Sequence, residues 1–187
     1  MVHKIGVFLY GDAGTGKSTI ARAISNMFGD VPILLLNSSN VSSSIHDIVN
    51  TRKADNGILI ILIEDFDMFF KDRETESNKE IKNEKEYEKN QNLLFQILDG
   101  VHSTEDTIYI ATTNYKDKVD PALIRYGRFD IQEELKYFEY EDAIKAVKLL
   151  GYDKDVLDNM NLEYPVQPAY LQSKIMEHRA IERSKVR

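Results

Sequence analysis

The chain has 187 residues, 24 basic against 31 acidic, a net charge of -7 and no cysteine. That length fits one or two domains able to enclose a core; the lack of thiols excludes disulfides, zinc knuckles and cysteine nucleophiles, and the acidic balance argues against wholesale binding to nucleic-acid phosphate. The longest aliphatic run, Ile58 to Ile63, is far below the roughly 20 residues a membrane span needs, so the expectation is a soluble, intracellular chain with no span of its own.

The opening "MVHKIGVFLYG" alternates like a strand that feeds a glycine loop, and reads as that rather than as a secretion signal. Lys4 to Leu9 is the first of four apolar runs rich in branched residues; Pro32 to Asn37, Ile58 to Ile63 and Thr107 to Thr113 follow, spaced widely enough for crossover helices. This is the rhythm of a parallel sheet. Helical periodicity fits Lys17 to Phe28, Ser43 to Thr51 and a segment ending in "NLLFQILDG", where Leu93, Leu94, Ile97 and Leu98 form an apolar stripe and Gly100 is placed to cap it. Between Lys71 and Asn90 the chain is almost wholly polar with charges of both signs, which reads as a mobile surface insertion leading into an exposed helix. After Tyr137 the strand signals stop, and "EDAIKAVKLLGY", "KDVLDNM" and "PAYLQSKIMEHRAIERS" read as helices jointed at Gly151 and Pro165. The expectation is an α/β core over residues 1–137, a parallel sheet sandwiched by helices, followed by a small helical lid over 138–187.

Residues 11–18, "GDAGTGKS", match G-x-x-x-x-G-K-[ST] directly after a strand and at the start of a helix. Gly14 and Gly16 permit backbone conformations that aim successive amides at phosphate oxygens, and the helix N-terminus adds a favourable dipole. Gly11, Asp12, Ala13, Gly14, Thr15, Gly16, Lys17, Ser18 and Thr19 are therefore the candidate nucleotide contacts. Lys17 is placed to reach the β and γ phosphates and Ser18 to ligate Mg2+.

The stretch "ILIILIEDFD", residues 58–67, ends a greasy strand in three acids. Beside a phosphate loop such acids serve the metal shell and the attacking water. One register puts Glu64 on the metal side and Asp65 on the water, leaving Asp67 as a structural or interface carboxylate; the other gives the metal to Asp65 and leaves Phe66 next to it, with no adjacent base. "TIYIATTN" is a further buried-strand pattern, whose terminal Asn114 could lie between the acids and the γ phosphate. The four histidines lack metal-ligand spacing, and "EHRAIERSKVR" reads as a solvated helix end.

"GDAGTGKST", "ILIEDFD", "ATTN" and "DPALIRYGRFD", in this order and spacing, resemble an AAA+ ATPase of the AAA branch proper. The resemblance implies a P-loop NTPase sheet, ATP and Mg2+ as cofactors, Asn114 as the first sensor, Arg125 and Arg128 as arginine fingers reaching a neighbouring subunit's nucleotide, and hence a homo-oligomeric ring of six or seven copies. The Glu-Asp order, "LLLNSSNVSSSIHDIV", "NLLFQILDG" and "QPAYLQSKIMEH" are similar to the mitochondrial AAA chaperone that moves the folded Rieske iron-sulfur protein, and to its plant and viral relatives. That chaperone's membrane helix and middle domain are absent from these residues, no aromatic-hydrophobic-glycine pore loop follows the second strand, and no second-sensor arginine stands around Gln167 to Gln172. The function implied is a ring-forming ATPase that remodels a macromolecular client, chiefly protein. The competing readings are a nucleic-acid motor, a small-acceptor kinase and a nucleotide-gated assembly switch with little hydrolysis.

Overall fold

The computed structural model describes residues 4–38, 41, 43, 44, 47, 48, 50, 57–70, 81–99 and 106–185. Its centre is a five-stranded sheet of β1 (Lys4–Tyr10), β2 (Ile33–Leu36), β3 (Leu59–Ile63), β4 (Thr107–Thr113) and β5 (Ile131–Glu134), in the order β2-β3-β4-β1-β5. Every pairing is parallel. Parallel neighbours need crossovers, and helices α1 (Lys17–Met27) and α2 (Ile81–Leu98) lie in those connections. With helices over the sheet, the central strands are buried without alternation: all five residues of β3 are buried, as are Val7, Phe8 and Leu9 of β1 and Tyr109, Ile110 and Ala111 of β4.

On one face Phe8, Ile61, Ile63, Tyr109 and Ala111 meet the α2 stripe of Leu94, Ile97 and Leu98. The apolar stripe read from the sequence is the surface that α2 buries. Phe66 and Phe129 complete this cluster edge-on, with ring centroids 5.5 Å apart and planes at 77°, a geometry that aligns the positive ring edge with a negative face. Leu59 to Ile63 and Phe66 lie in the core while Asp65 between them is exposed. The chain manages this reversal by putting Asp65 in the left-handed region, φ 48° and ψ 52°, before a single 3-10 turn over Phe66–Phe69.

The strand β5 was not among the runs read from the sequence. Its four residues, Ile131–Glu134, are all exposed, and among the described residues it pairs only with β1. A short, charged edge strand shows neither an apolar run nor an apolar alternation, and charge at an edge discourages pairing with other chains. Of the helix expected over Ser43 to Thr51, the described residues 43, 44, 47, 48 and 50 are helical. Residues 71–80 of the polar segment and Gly100 lie outside the described residues.

The chain divides into two compact units, Met1–Gly11 with Lys17–Glu134, and Asp12–Gly16 with Leu135–Arg187. The second contains α3 (Tyr140–Leu149), the single turn α4 (Asp155–Asp158) and α5 (Pro168–Lys185). It has its own core of Ala143, Val147, Leu157, Val166, Leu171 and Ile175. Ala143 and Val147, four apart on α3, and Leu171 and Ile175, four apart on α5, are the i and i+4 positions that share a helix face. Among the described residues no helix is long and apolar enough to cross a membrane.

Gly6 shows how tightly the first unit closes. Its carbonyl accepts the Asp130 amide at 2.9 Å, and a Cβ there would stand 1.7 Å from the carbonyl oxygen of Arg128. Only hydrogen fits between β1 and the segment that carries Arg128. Gly6→Ala is expected to cost about 3 kcal/mol, the upper end for overpacking, read as a lower urea midpoint; a midpoint equal to that of the unaltered chain would show that this approach is looser than described.

Candidate functional site

Parallel pairing sends the carboxyl ends of the strands to one edge, where ligands bind in such sheets. Tyr10 is paired with Thr113 and Ile63 with Ala111. The next residues of β1, β3 and β4 are Gly11, Glu64 and Asn114, so three of the motifs leave the sheet together.

The loop after β1 takes backbone angles that side chains resist. Gly11, Gly14 and Gly16 have φ of 127°, 75° and 96°. A Cβ on Gly16 would meet no atom within 4 Å, so glycine is needed there for its conformation, and the space beside it is open. Thr15 Oγ1 donates to the Asp12 carbonyl at 2.9 Å and closes the loop on itself. Lys17 opens α1, is 8% exposed, and donates from Nζ to the Gly11 carbonyl at 2.7 Å. The ammonium thus donates to an uncharged acceptor of its own loop, and a phosphate oxygen would add the attraction of an opposite charge to the same kind of bond.

Ser18 Oγ donates to Glu64 Oε1 at 2.6 Å, joining residues 46 apart in the chain. The amide of Glu64 is fixed by the Leu36 carbonyl at 3.2 Å. Asp65 is exposed, with its carbonyl accepting the Met68 amide at 2.8 Å. Asp67 is 7% exposed and accepts a hydrogen bond from Thr113 Oγ1, which in turn accepts the Tyr115 amide at 2.9 Å. This chain ties the end of β3 to the end of β4 and frames the exposed Asn114. Sequence reading did not single out Thr113; a threonine ending a buried strand opposite a third acid was the available signal. Lys116 Nζ lies 3.9 Å from the centroid of the Tyr10 ring at the same edge.

Mg2+ keeps several waters and takes one or two protein oxygens beside substrate phosphates. The Ser18 hydroxyl and Glu64 carboxylate, already within hydrogen-bond distance of each other, supply such a pair. Among the described residues no group of three or more His, Asp or Glu could hold a metal ion by itself. The residues present fit a magnesium nucleotide. Of the histidines, His178 is described, its ring 6.1 Å from that of Tyr152; His3, His46 and His102 lie outside the described residues.

The two arginines differ. Arg125 is exposed, and its carbonyl accepts the amides of Arg128 and Phe129, both at 3.1 Å. Arg128 is engaged within its own chain: Nε and Nη2 donate to the two oxygens of Asp99 at 2.7 and 2.9 Å, and the guanidinium lies 5.0 Å from the centroid of Phe95. The Arg128 hydrogen bonds hold the Asp99 carboxyl below its ordinary range, against partial burial that would raise it. Lys4 adds a second cation, donating to the carbonyls of Leu98 and Gly127, and burial lowers its pKa. A carboxylate with a depressed folded pKa stabilises the fold above its unfolded pKa and loses that contribution as pH falls. Asp99→Asn is therefore expected to cost about 0.5–1 kcal/mol at pH 7, since Asp99 is half exposed and screened. The gap between the two chains should close as pH falls through and below about 3.9. Denaturant titrations at both pH values check this, and a gap that persists in acid would deny the pair its role.

Residues 7–137 match the family described as "ATPase family associated with various cellular activities (AAA)". The chain is 36% identical over 167 residues to an AAA-ATPase of Arabidopsis thaliana, covering 83% of this chain and 33% of that protein. It is 30% identical over 168 residues to ATP-dependent zinc metalloprotease FtsH 3 of Sphaerobacter thermophilus, covering 84% of this chain and 32% of the other. Against ATP-dependent zinc metalloprotease FtsH of Lachnoclostridium phytofermentans the identity is 32% over 166 residues, covering 84% and 28%. The chain thus spans about a third or less of the length of these relatives. With a glycine loop, a lysine and a serine–glutamate pair at the carboxyl edge of a parallel sheet, and a family match over most of its length, the chain belongs to the AAA ATPase family.

Proposed function

We propose that this chain is a Mg2+-dependent, ATP-hydrolysing motor that assembles into a homo-oligomeric ring of six or seven copies and remodels a protein client. The observation that carries the reading is the Ser18–Glu64 contact at 2.6 Å beside Lys17, because it joins the phosphate loop to the acidic strand end as phosphoryl transfer requires. Residues 11–19 would cradle the phosphates, with Lys17 leaving the Gly11 carbonyl for the β and γ oxygens. Ser18 and Glu64 would hold Mg2+. The metal, when bound, neutralises charge on the β and γ phosphates. Asp65, exposed at the end of β3, would accept the proton of the attacking water, and Asn114 at the end of β4 would orient that water.

In this reading Arg125 and Arg128 reach the nucleotide of the neighbouring copy and stabilise the charge developing on the transferred phosphoryl group. Arg125 is exposed and would break no side-chain hydrogen bond seen among the described residues to do so. Arg128 would have to leave Asp99, so its substitution should cost less turnover than that of Arg125. Within the family, the Glu64-Asp65 order and the segments at residues 34–49, 92–100 and 167–178 resemble the mitochondrial chaperone of the Rieske protein, and on that resemblance the client is protein. The net charge of -7 disfavours nucleic acid in that role. These residues contain no H-E-x-x-H, so the protease activity in the bacterial relatives' names is not carried over.

Turnover measured against protein concentration tests the reading. Lys17→Ala should lose nucleotide binding, Asp65→Asn should retain ATP and stall, and Arg125→Ala should fall by about 10³ or more. Mixing the Asp65→Asn and Arg125→Ala chains should restore part of the activity, since some interfaces then pair an intact acid with an intact arginine. Specific activity that is independent of concentration and untouched in Arg125→Ala would reject the shared site, and normal turnover by Asp65→Asn would reject the assignment of the acids.

A further inference from the structure

The start of α5 reaches the phosphate loop, a contact that neither the motifs nor the reading above uses. Gln167 precedes the helix, and its carbonyl accepts the Leu171 amide at 3.0 Å, the first turn of α5. Pro168, the first helical residue, has no N–H to satisfy. The Ala169 amide is one of the orphan donors of a helix start, and it donates to the Gly14 carbonyl at 3.1 Å. The Gln167 side chain also reaches the loop: Nε2 donates to the Ala13 carbonyl at 2.8 Å, across 154 residues of sequence. The amide lies flush on the loop, since a Cβ on Gly14 would come within 2.3 Å of Nε2 and 2.6 Å of Cδ.

Two successive carbonyls of the loop are therefore held by the start of α5. In a planar trans peptide the C=O and the following N–H point in opposite directions. Fixing the Ala13 carbonyl toward Gln167 turns the Gly14 N–H away from it, and fixing the Gly14 carbonyl toward Ala169 does the same for the Thr15 N–H. Backbone amides that converge in this way are the anion-binding element of a phosphate loop. Gly14, at φ 75°, has the freedom to rotate out of this arrangement unless something holds it.

We propose that Gln167 is a positioning residue for phosphate binding, a neutral donor that aims the Gly14 amide by holding the Ala13 carbonyl of the same peptide, beside the Ala169 amide that holds the Gly14 carbonyl. It acts on the loop and carries no charge to the phosphates. This rests on the phosphate-loop reading of residues 11–18. The hydrogen bond, and not the bulk of the side chain, does the positioning, so loss of the donor should weaken phosphate-bearing ligands alone.

The test is equilibrium titration of the full chain with ADP, and with adenosine by competition, alongside the unfolding midpoint of the ligand-free chain. Gln167→Met keeps the length of the side chain and removes the N–H; Gln167→Ala removes both. The two variants should weaken ADP alike, by about fivefold, as loss of one net hydrogen bond implies, with adenosine affinity and the ligand-free midpoint unchanged. Wild-type affinity in Gln167→Met with weakening confined to Gln167→Ala would make the role one of packing. Equal weakening of ADP and adenosine, or a midpoint that falls in step with affinity, would make it structural; each of these results overturns the inference. Lys17→Ala separates the two levels. Unchanged ADP binding by Lys17→Ala would sink the phosphate-loop reading and this inference with it, whereas full ADP affinity in both Gln167 variants beside an ADP-dead Lys17→Ala would sink this inference alone.

Discussion

In-register parallel pairing of β3, β4 and β1 is the constraint from which the rest of the site follows. Ile63 is level with Ala111, and Tyr10 with Thr113; a slip of one residue on any of the three would turn every buried side chain of that strand to the opposite face. In β3, which is buried on both faces, a slip would take one aliphatic side chain out of the buried stretch and draw Glu64 into it. Each of its five side chains is removed from water, and full burial of such a side chain is worth roughly 1.5–3 kcal/mol relative to exposure. The register in turn fixes where the backbone leaves the sheet, and so where Gly11, Glu64 and Asn114 stand.

Grease and charge on one strand are thus two parts of one arrangement. The five aliphatic side chains hold the strand rigidly enough that the acids beyond it need no flexible search for partners. Glu64 meets Ser18, Asp67 turns inward to Thr113, and Asp65 is left exposed between them by a left-handed backbone. Three carboxylates within four positions therefore have three different surroundings. The partner of Glu64 comes from the first turn of α1 and that of Asp67 from the end of β4, so both placements depend on elements that meet at one edge of the sheet.

How much of this was legible in the sequence depended on the range of the contact. The glycine loop, the apolar runs of β1, β3 and β4 and the stripe of Leu94, Ile97 and Leu98 are local patterns, and each corresponds to an element of the structure. The meeting of Ser18 with Glu64 across 46 residues was accessible because two motifs that end strands of one parallel sheet must converge at its edge. The fifth strand was hidden because an exposed edge of Ile131, Gln132, Glu133 and Glu134 has no hydrophobic period. The pairing of Arg128 with Asp99 and that of Gln167 with Ala13 have no local mark at all. A single arginine, aspartate or glutamine has many available partners, and only the fold selects one.

The assignment of Glu64 and Ser18 as the metal-side pair is the centre of the account. Its most direct test is the gain in ATP affinity on adding Mg2+, measured by calorimetry in the unaltered chain, Ser18→Ala, Glu64→Gln and Asp65→Asn. The account predicts that the gain shrinks in Ser18→Ala and Glu64→Gln, persists in Asp65→Asn, and that affinity without the metal is alike in all four. A gain that survives intact in Glu64→Gln and is lost in Asp65→Asn would contradict it.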